Sequence, residues 1–159
     1  KLTVPEDPKI REYLGLKTRT GQFGITEIRP ALLIIQIFNM YCPHCQHYAP
    51  KVNDFYKLIQ NNPRLKERVM LIGIGVGNSP FEVDIYRKKF SVGFPLFDDK
   101  SYAVYNTLQD VLTPHFIGLT LDGKGGYRMV YSASGGFDDP AAFLNDMVRL
   151  SGLFPGGVR

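Results

Sequence analysis

The sequence predicts an α/β fold, a mixed β-sheet flanked by helices. Three observations carry that expectation. Ala31–Phe38 and Val69–Val76 are continuous apolar runs of strand length. Runs of this kind read as strands buried on both faces. The segment between them has helical period, and strand–helix–strand alternation builds a parallel pair with a crossover helix. Near the end, Pro114–Leu121 and Tyr127–Ser132 flank Asp122-Gly123-Lys124-Gly125-Gly126, which reads as an antiparallel hairpin with a glycine-rich turn.

Bulk properties narrow the class. A chain of 159 residues and 18.0 kDa suits one domain. With 44% hydrophobic and 21% charged residues it is neither disordered nor a disulfide-dense miniprotein. The longest apolar run already contains Gln36, and it is far short of the roughly 20 residues of a membrane helix. The net charge of +4 and pI near 9.1 are dispersed. The tightest basic cluster, Arg87-Lys88-Lys89, reads as a solvated helix face, so no nucleic-acid partner is expected. The chain begins at Lys1 with no apolar leader, which fits a removed signal peptide or a trimmed chain.

In order, residues 1–24 read as a polar, irregular lead-in with a short helix over Lys9–Leu14. Gly21–Ile28 has room for a short strand. Pro43–Gln60 carries Cys45, Tyr48, Ala49, Val52, Phe55, Tyr56 and Ile59 on one stripe, with Pro50 inside it as a predicted kink. Pro80–Phe90 is the next helix, with Phe81 and Ile85 one turn apart on its apolar face. Phe94–Phe97 is a short strand, and Ser101 is placed to cap a short helix through Leu108. Asp139-Pro140 opens a last helix with Phe143, Leu144, Met147 and Val148 inward, stopped by Gly152. Residues 25–152 form the expected domain, and 153–159 a loose tail.

The only two cysteines, Cys42 and Cys45, lie where the first buried strand feeds the first long helix, in Tyr41-Cys42-Pro43-His44-Cys45. Two intervening residues let one helical turn bring both sulfurs together. Cys42 falls near the N-cap, where first-turn N–H groups and the helix dipole favour negative charge. The thiolate is the nucleophile of disulfide exchange, and an unperturbed thiol is only about 3% ionised at pH 7. Pro43 costs no hydrogen bond there, and a protonated His44 adds positive charge. Pro43-His44 therefore pushes the couple toward oxidant character. Two rival readings stand beside the redox one: a pair of buried structural cysteines, and a metal site helped by His44 and His47. A single pair of this spacing lacks the second half of a structural zinc site.

On these residues the sequence resembles the thioredoxin superfamily over about residues 25–152. The resemblance rests on the cysteine pair after the first buried strand, on Pro50 five residues beyond Cys45, and on Thr113-Pro114, where that family places a cis proline beside the disulfide. Within it the chain is most similar to the TlpA/ResA-like extracytoplasmic thiol–disulfide oxidoreductases. Pro80–Phe97 matches the extra helix and strand of that branch, and Gly93–Asp99 and Leu112–Ile117 match its following stretches. The resemblance implies a thioredoxin-like mixed sheet with a TlpA-type helix–strand insertion. Three departures are visible. Tyr41 stands where Trp is common, Gln36 replaces a buried acid, and Tyr48 replaces a glutamate found in some ResA-like members. Without those carboxylates, proton transfer from Cys45 is left to water, His44, His47 or His115. Pro43-His44 itself resembles the oxidising DsbA branch.

The resemblance assigns the catalytic pair Cys42 and Cys45, with Cys42 attacking and Cys45 resolving. Pro43, His44 and Gln36 become redox-tuning residues, Gln36 as a hydrogen-bonded core amide near Cys45. Tyr41, Thr113, Pro114 and His115 become substrate-facing. It implies no cofactor beyond a redox-active Cys42–Cys45 disulfide and no metal. The implied partners are proteins with thiols or disulfides and a membrane electron donor or acceptor. The implied location is periplasmic or secreted, with a membrane tether through a removed N-terminal segment. The expected activity is thiol–disulfide exchange, leaning toward a reductase. Alternatives are a DsbA-like oxidase or isomerase, and a non-enzymatic redox switch or metal-binding module. No hydrolase signature is present.

Overall fold

The computed structural model describes residues 1–109 and 111–157. In chain order the elements are β1 (Leu2–Thr3), α1 (Pro8–Leu14), β2 (Gln22–Phe23), β3 (Leu32–Phe38), α2 (Pro43–Asn61), β4 (Val69–Val76), α3 (Pro80–Lys89), β5 (Leu96–Asp99), β6 (His115–Leu121), β7 (Tyr127–Ser134) and α4 (Pro140–Ser151). The main sheet has the order β5-β4-β3-β6-β7. β4 runs parallel to both β3 and β5, and β6 runs antiparallel to β3 and β7. Every residue of β3 and β4 is buried, as continuous apolar runs require. The mixed α/β sheet is the predicted one.

Strand alternation divides the core in two. Leu32, Ile34 and Phe38 of β3 and Phe116 of β6 face α2, α3 and α4, where they meet Cys45, Phe55, Tyr86 and Met147. Leu33, Ile35, Ile37 and Ile117 face the other way, against Leu2, Leu14 and Phe23. The first 24 residues are thus part of the packing, not an irregular lead-in. β1 pairs with β2, and Leu14 and Phe23 are fully buried. The composition of this stretch is polar because only one side of it touches the sheet. Tyr13 adds a polar tie, donating to Leu71 O at 3.3 Å and accepting from Leu71 N at 3.2 Å. β5 pairs only with Gly73–Val76, so the phenol serves the stretch of β4 that β5 leaves unpaired.

Four details differ from the sequence reading. On α3 the buried residues are Val83 and Tyr86, while Phe81 and Ile85 face solvent. Ser79 and Glu82 form a capping box at the start of α3, and the helical phase set there turns the pair spaced by three inward. No α-helix follows Ser101. A single 3₁₀ turn, Tyr105–Thr107, takes its place. Tyr102 has a left-handed backbone, φ 60°, which ends helical propagation, and the buried Asp99 caps the turn instead by accepting from Val104 N and Tyr105 N at 3.1 and 3.0 Å. The strand expected at Phe94–Phe97 begins two residues later. After α4 the tail is anchored, with Phe154 buried under the Arg68 guanidinium at 4.5 Å, while residues 158 and 159 lie outside the described residues. Gly73 and Gly75 have a packing role, since a Cβ on either would run into the side chains around the Phe38 ring.

Candidate active site

The site is built at the carboxyl ends of β3 and β4, where backbone groups run out of sheet partners. Two asparagines supply those partners. Asn39 donates to Val76 O at 2.7 Å and accepts from Tyr41 N at 2.8 Å. Asn78, fully buried, accepts from Met40 N at 2.8 Å. Gln46 Nε2 donates back to Met40 O at 2.7 Å. The short turn from Asn39 to Tyr41 is therefore clamped from both strands and from α2, and it delivers Cys42 to the helix N-cap. Sequence reasoning missed these residues. For Asn39 and Asn78 the available signal was a polar side chain within two residues of the end of a fully buried strand; Gln46, inside α2, gave none.

Cys42 Sγ accepts from Cys45 N at 3.3 Å, and as a thiol it donates to Thr113 O at 3.4 Å. Partial burial works against its ionised form. Hydrogen bonds from the Thr113 side chain, from Cys45 and from the His44 backbone N–H outweigh that, and the net direction is down from the ordinary thiol value. Cys45 is fully buried one turn on. Burial pushes its thiol up to about 12, aided by the neighbouring Cys42 and opposed by the Asn39 backbone. The Tyr86 phenol, stacked on Phe38 with ring centres 4.6 Å apart, donates to Cys45 O at 3.2 Å. Both cysteines are thiols in this structure. The arrangement has one accessible sulfur favoured as thiolate and one buried sulfur held as thiol, which suits attack by the first and resolution by the second.

The remaining candidates separate clearly. The Thr113–Pro114 bond is cis, Pro114 is buried, and the half-buried Thr113 touches Cys42. Tyr41, Pro43 and His44 are exposed around the nucleophile. Gln36 lies on the α2-facing side of β3, 1% exposed, and its Nε2 has no protein hydrogen-bond partner among the described residues. His115 is 4% exposed, and strand alternation directs it to the face opposite α2, the side of Ile117. Its ring is held between Ser134 Oγ at 2.8 Å and Ser132 Oγ at 2.9 Å. That position takes it out of the substrate-facing and proton-relay sets. Burial lowers its pKa. His47 is exposed on α2, and among the described residues no three His, Cys, Asp or Glu side chains converge as a metal site. No helix among them is long and apolar enough to cross a membrane.

Comparison with known proteins supplies the relationship. A family model described as thioredoxin-like matches residues 22–124. The thiol–disulfide oxidoreductase ResA of Geobacillus thermodenitrificans is 23% identical over 82 residues, which is 52% of this chain but only 44% of that protein. Among solved structures, a secreted Mycobacterium tuberculosis disulfide oxidoreductase homologous to E. coli DsbE superposes with a TM-score of 0.61 at 12% identity, covering 82% of this chain and 90% of its own. StoA from Bacillus subtilis gives 0.60 at 15% identity over 74% and 83%. A thiol-disulfide isomerase from Corynebacterium glutamicum gives 0.58 at 21% identity over 85% and 88%. These structural likenesses concern the fold. The chain belongs to the thioredoxin-like family, and its likeness within that family is to the TlpA/ResA-like thiol–disulfide oxidoreductases.

Proposed function

We propose that the chain is a thiol–disulfide oxidoreductase working through Cys42 and Cys45 on cysteines of protein substrates, with no cofactor beyond that pair. The observation that carries this reading is the contrast between the two sulfurs, one accessible and lowered, the other buried and raised to about 12. In the reducing direction the Cys42 thiolate attacks one sulfur of a substrate disulfide. A mixed disulfide forms and the other substrate sulfur leaves as thiolate. Cys45 then gives up its proton to that thiolate and attacks Cys42 Sγ, which releases the second substrate sulfur. Two electrons pass to the substrate, and the Cys42–Cys45 disulfide remains.

The working direction we infer is reduction, outside the cytoplasm, with the pair recharged by a membrane electron donor. The inserted α3 and β5 and the likeness to ResA support it. A second reading, disulfide donation, is favoured by the contacts that stabilise the Cys42 thiolate, since they favour the reduced pair. Equilibration of the pair in dithiothreitol and glutathione buffers separates the two. A potential toward about −270 mV supports the reductase, and one toward about −120 mV the oxidant. A protein with no reversible couple would be neither.

A further inference from the structure

The segment over the nucleophile lies just before the paired part of its strand. β6 begins at His115, so the backbone groups that flank Thr113 need partners from elsewhere. The end of β7 supplies them. Ser134 Oγ accepts from Leu112 N at 3.1 Å, and Gly135 N donates to Pro114 O at 2.8 Å. Gly135 reaches that carbonyl with φ 102°, a conformation reserved for glycine. Gly136 then passes against the Tyr48 ring, at a spot where any Cβ would collide with it. Residues 134–136 thus bracket Thr113 on one side and α2, one turn beyond Cys45, on the other.

The hydroxyl in this bracket is itself held. Ser134 is exposed, and an exposed hydroxyl is ordinarily free to turn toward water. Here the buried His115 ring places Nδ1 2.8 Å from Ser134 Oγ and Nε2 2.9 Å from Ser132 Oγ. One arrangement uses every group once. Ser134 accepts from Leu112 N and donates to Nδ1, while Nε2–H donates to Ser132 Oγ. The exchange chemistry uses none of these three side chains.

What they hold in place is the residue that touches the sulfur. Thr113 O accepts from the Cys42 thiol at 3.4 Å, and the Thr113 side chain bonds Cys42 Sγ in the sense that favours the thiolate. A hydrogen bond weakens steeply as its atoms move out of line, so the sulfur benefits only while Thr113 keeps its place.

We propose that Ser134, braced by His115 and Ser132, is a positioning residue of the exchange reaction. It holds Thr113 against Cys42 Sγ and so keeps that sulfur reactive near neutral pH. The inference rests on the proposed exchange chemistry at Cys42 and extends its machinery to the face of the sheet away from α2.

The test reads the Cys42 sulfur alone, in the Cys45→Ala protein, by alkylation with iodoacetamide across the pH range. Attack by the thiolate forms an S–C bond and releases iodide, so the rate follows the ionised fraction. The other titratable groups around the sulfur, Tyr41, His44, Tyr86, Tyr102 and Tyr105, are the same throughout the series. In this parent the rate should level off below the pH at which a free thiol ionises. Ser134→Ala should lower the rate about three- to tenfold on the acid side of that midpoint, the weight of one weakened hydrogen bond, and leave the plateau within about twofold. Ser134→Thr, which keeps the hydroxyl on an exposed strand position, should retain the parent profile. His115→Phe, a ring without nitrogens, should give a loss of the same shape; if this core change does not fold, the Ser134 variants decide alone. The positioning role is overturned by a parent-like profile in Ser134→Ala or in folded His115→Phe, by a loss of equal size at every pH, or by a threonine variant that behaves like alanine. Each of those leaves the exchange chemistry standing. A parent sulfur that ionises like a free thiol overturns the thiolate reading of Cys42 and the positioning role with it.

Discussion

The Tyr41 phenol donates to Glu82 Oε1 at 2.6 Å. This bond joins the residue before the nucleophile to the first turn of the inserted helix α3. The same carboxylate accepts from Ser79 N and Ser79 Oγ at 2.7 and 2.8 Å, so the helix cap and the active-site rim share one acceptor. The backbone bond to Ser79 is the largest influence holding the Glu82 carboxyl below its ordinary value, with the Tyr41 phenol next. Tyr41→Phe is expected to move the Glu82 titration partway up toward the ordinary carboxylate range, followed by NMR. An unchanged titration would mean that the bond has no weight in solution.

The two sulfurs should give opposite pH signatures. Formation of the mixed disulfide needs the Cys42 thiolate, so its rate should level off once pH exceeds a value below that of a free thiol. Resolution needs Cys45 to lose its proton, and burial holds that thiol up, so its rate should go on rising with pH beyond the point where the first step has levelled off. Rapid-quench measurement of each step tests this. Cys42→Ala should abolish turnover, and Cys45→Ala should accumulate substrate adducts.

His115 supplies a pH dependence of stability. Its folded pKa is depressed by burial, so below the ordinary histidine value near 6.5 the unfolded chain binds the extra proton and the folded chain resists it. Stability should therefore fall as pH drops from 7 through 6.5 toward 5. His115→Gln should flatten that slope relative to the parent protein in urea titrations. Parallel curves would exclude a role for this ring.

Gly77→Ala should be costly. The backbone there has φ 66°, and a Cβ would meet the Tyr102 phenol. A left-handed conformation costs an L-residue about 1–2 kcal/mol, which for a chain of this size lowers Tm by about 2–8 °C. An unchanged Tm would show that the turn relaxes freely.

Much of the fold was legible because burial writes itself into composition. β3, β4 and the β6–β7 hairpin followed from apolar runs and a glycine-rich turn, and α2 and α4 from periodic stripes bounded by Pro and Gly. The cysteine pair was legible because its spacing has few other uses. What stayed hidden depends on phase and parity. Phe81 and Val83 are both apolar on α3, and only the capping geometry decides which one turns inward. His115 follows Pro114 directly, yet strand alternation sends it to the far side of the sheet. Asn39 and Asn78 went unnoticed in the sequence, because their value lies in partners 37 and 38 residues away in the chain. Tyr102 gave no warning, since a left-handed backbone is written in sequence only when it falls on glycine or asparagine.

The double bond of Tyr13 to Leu71 has a consequence for the chain as a colloid. An unpaired stretch of buried, β-branched strand is a template onto which another chain can add. Here the phenol of α1 occupies both the donor and the acceptor of Leu71. The opening segment therefore acts as an edge guard. Stripped of it, the apolar run of β4 would offer free backbone beside exposed aliphatic surface, and the same catalytic pair would sit on a self-associating particle.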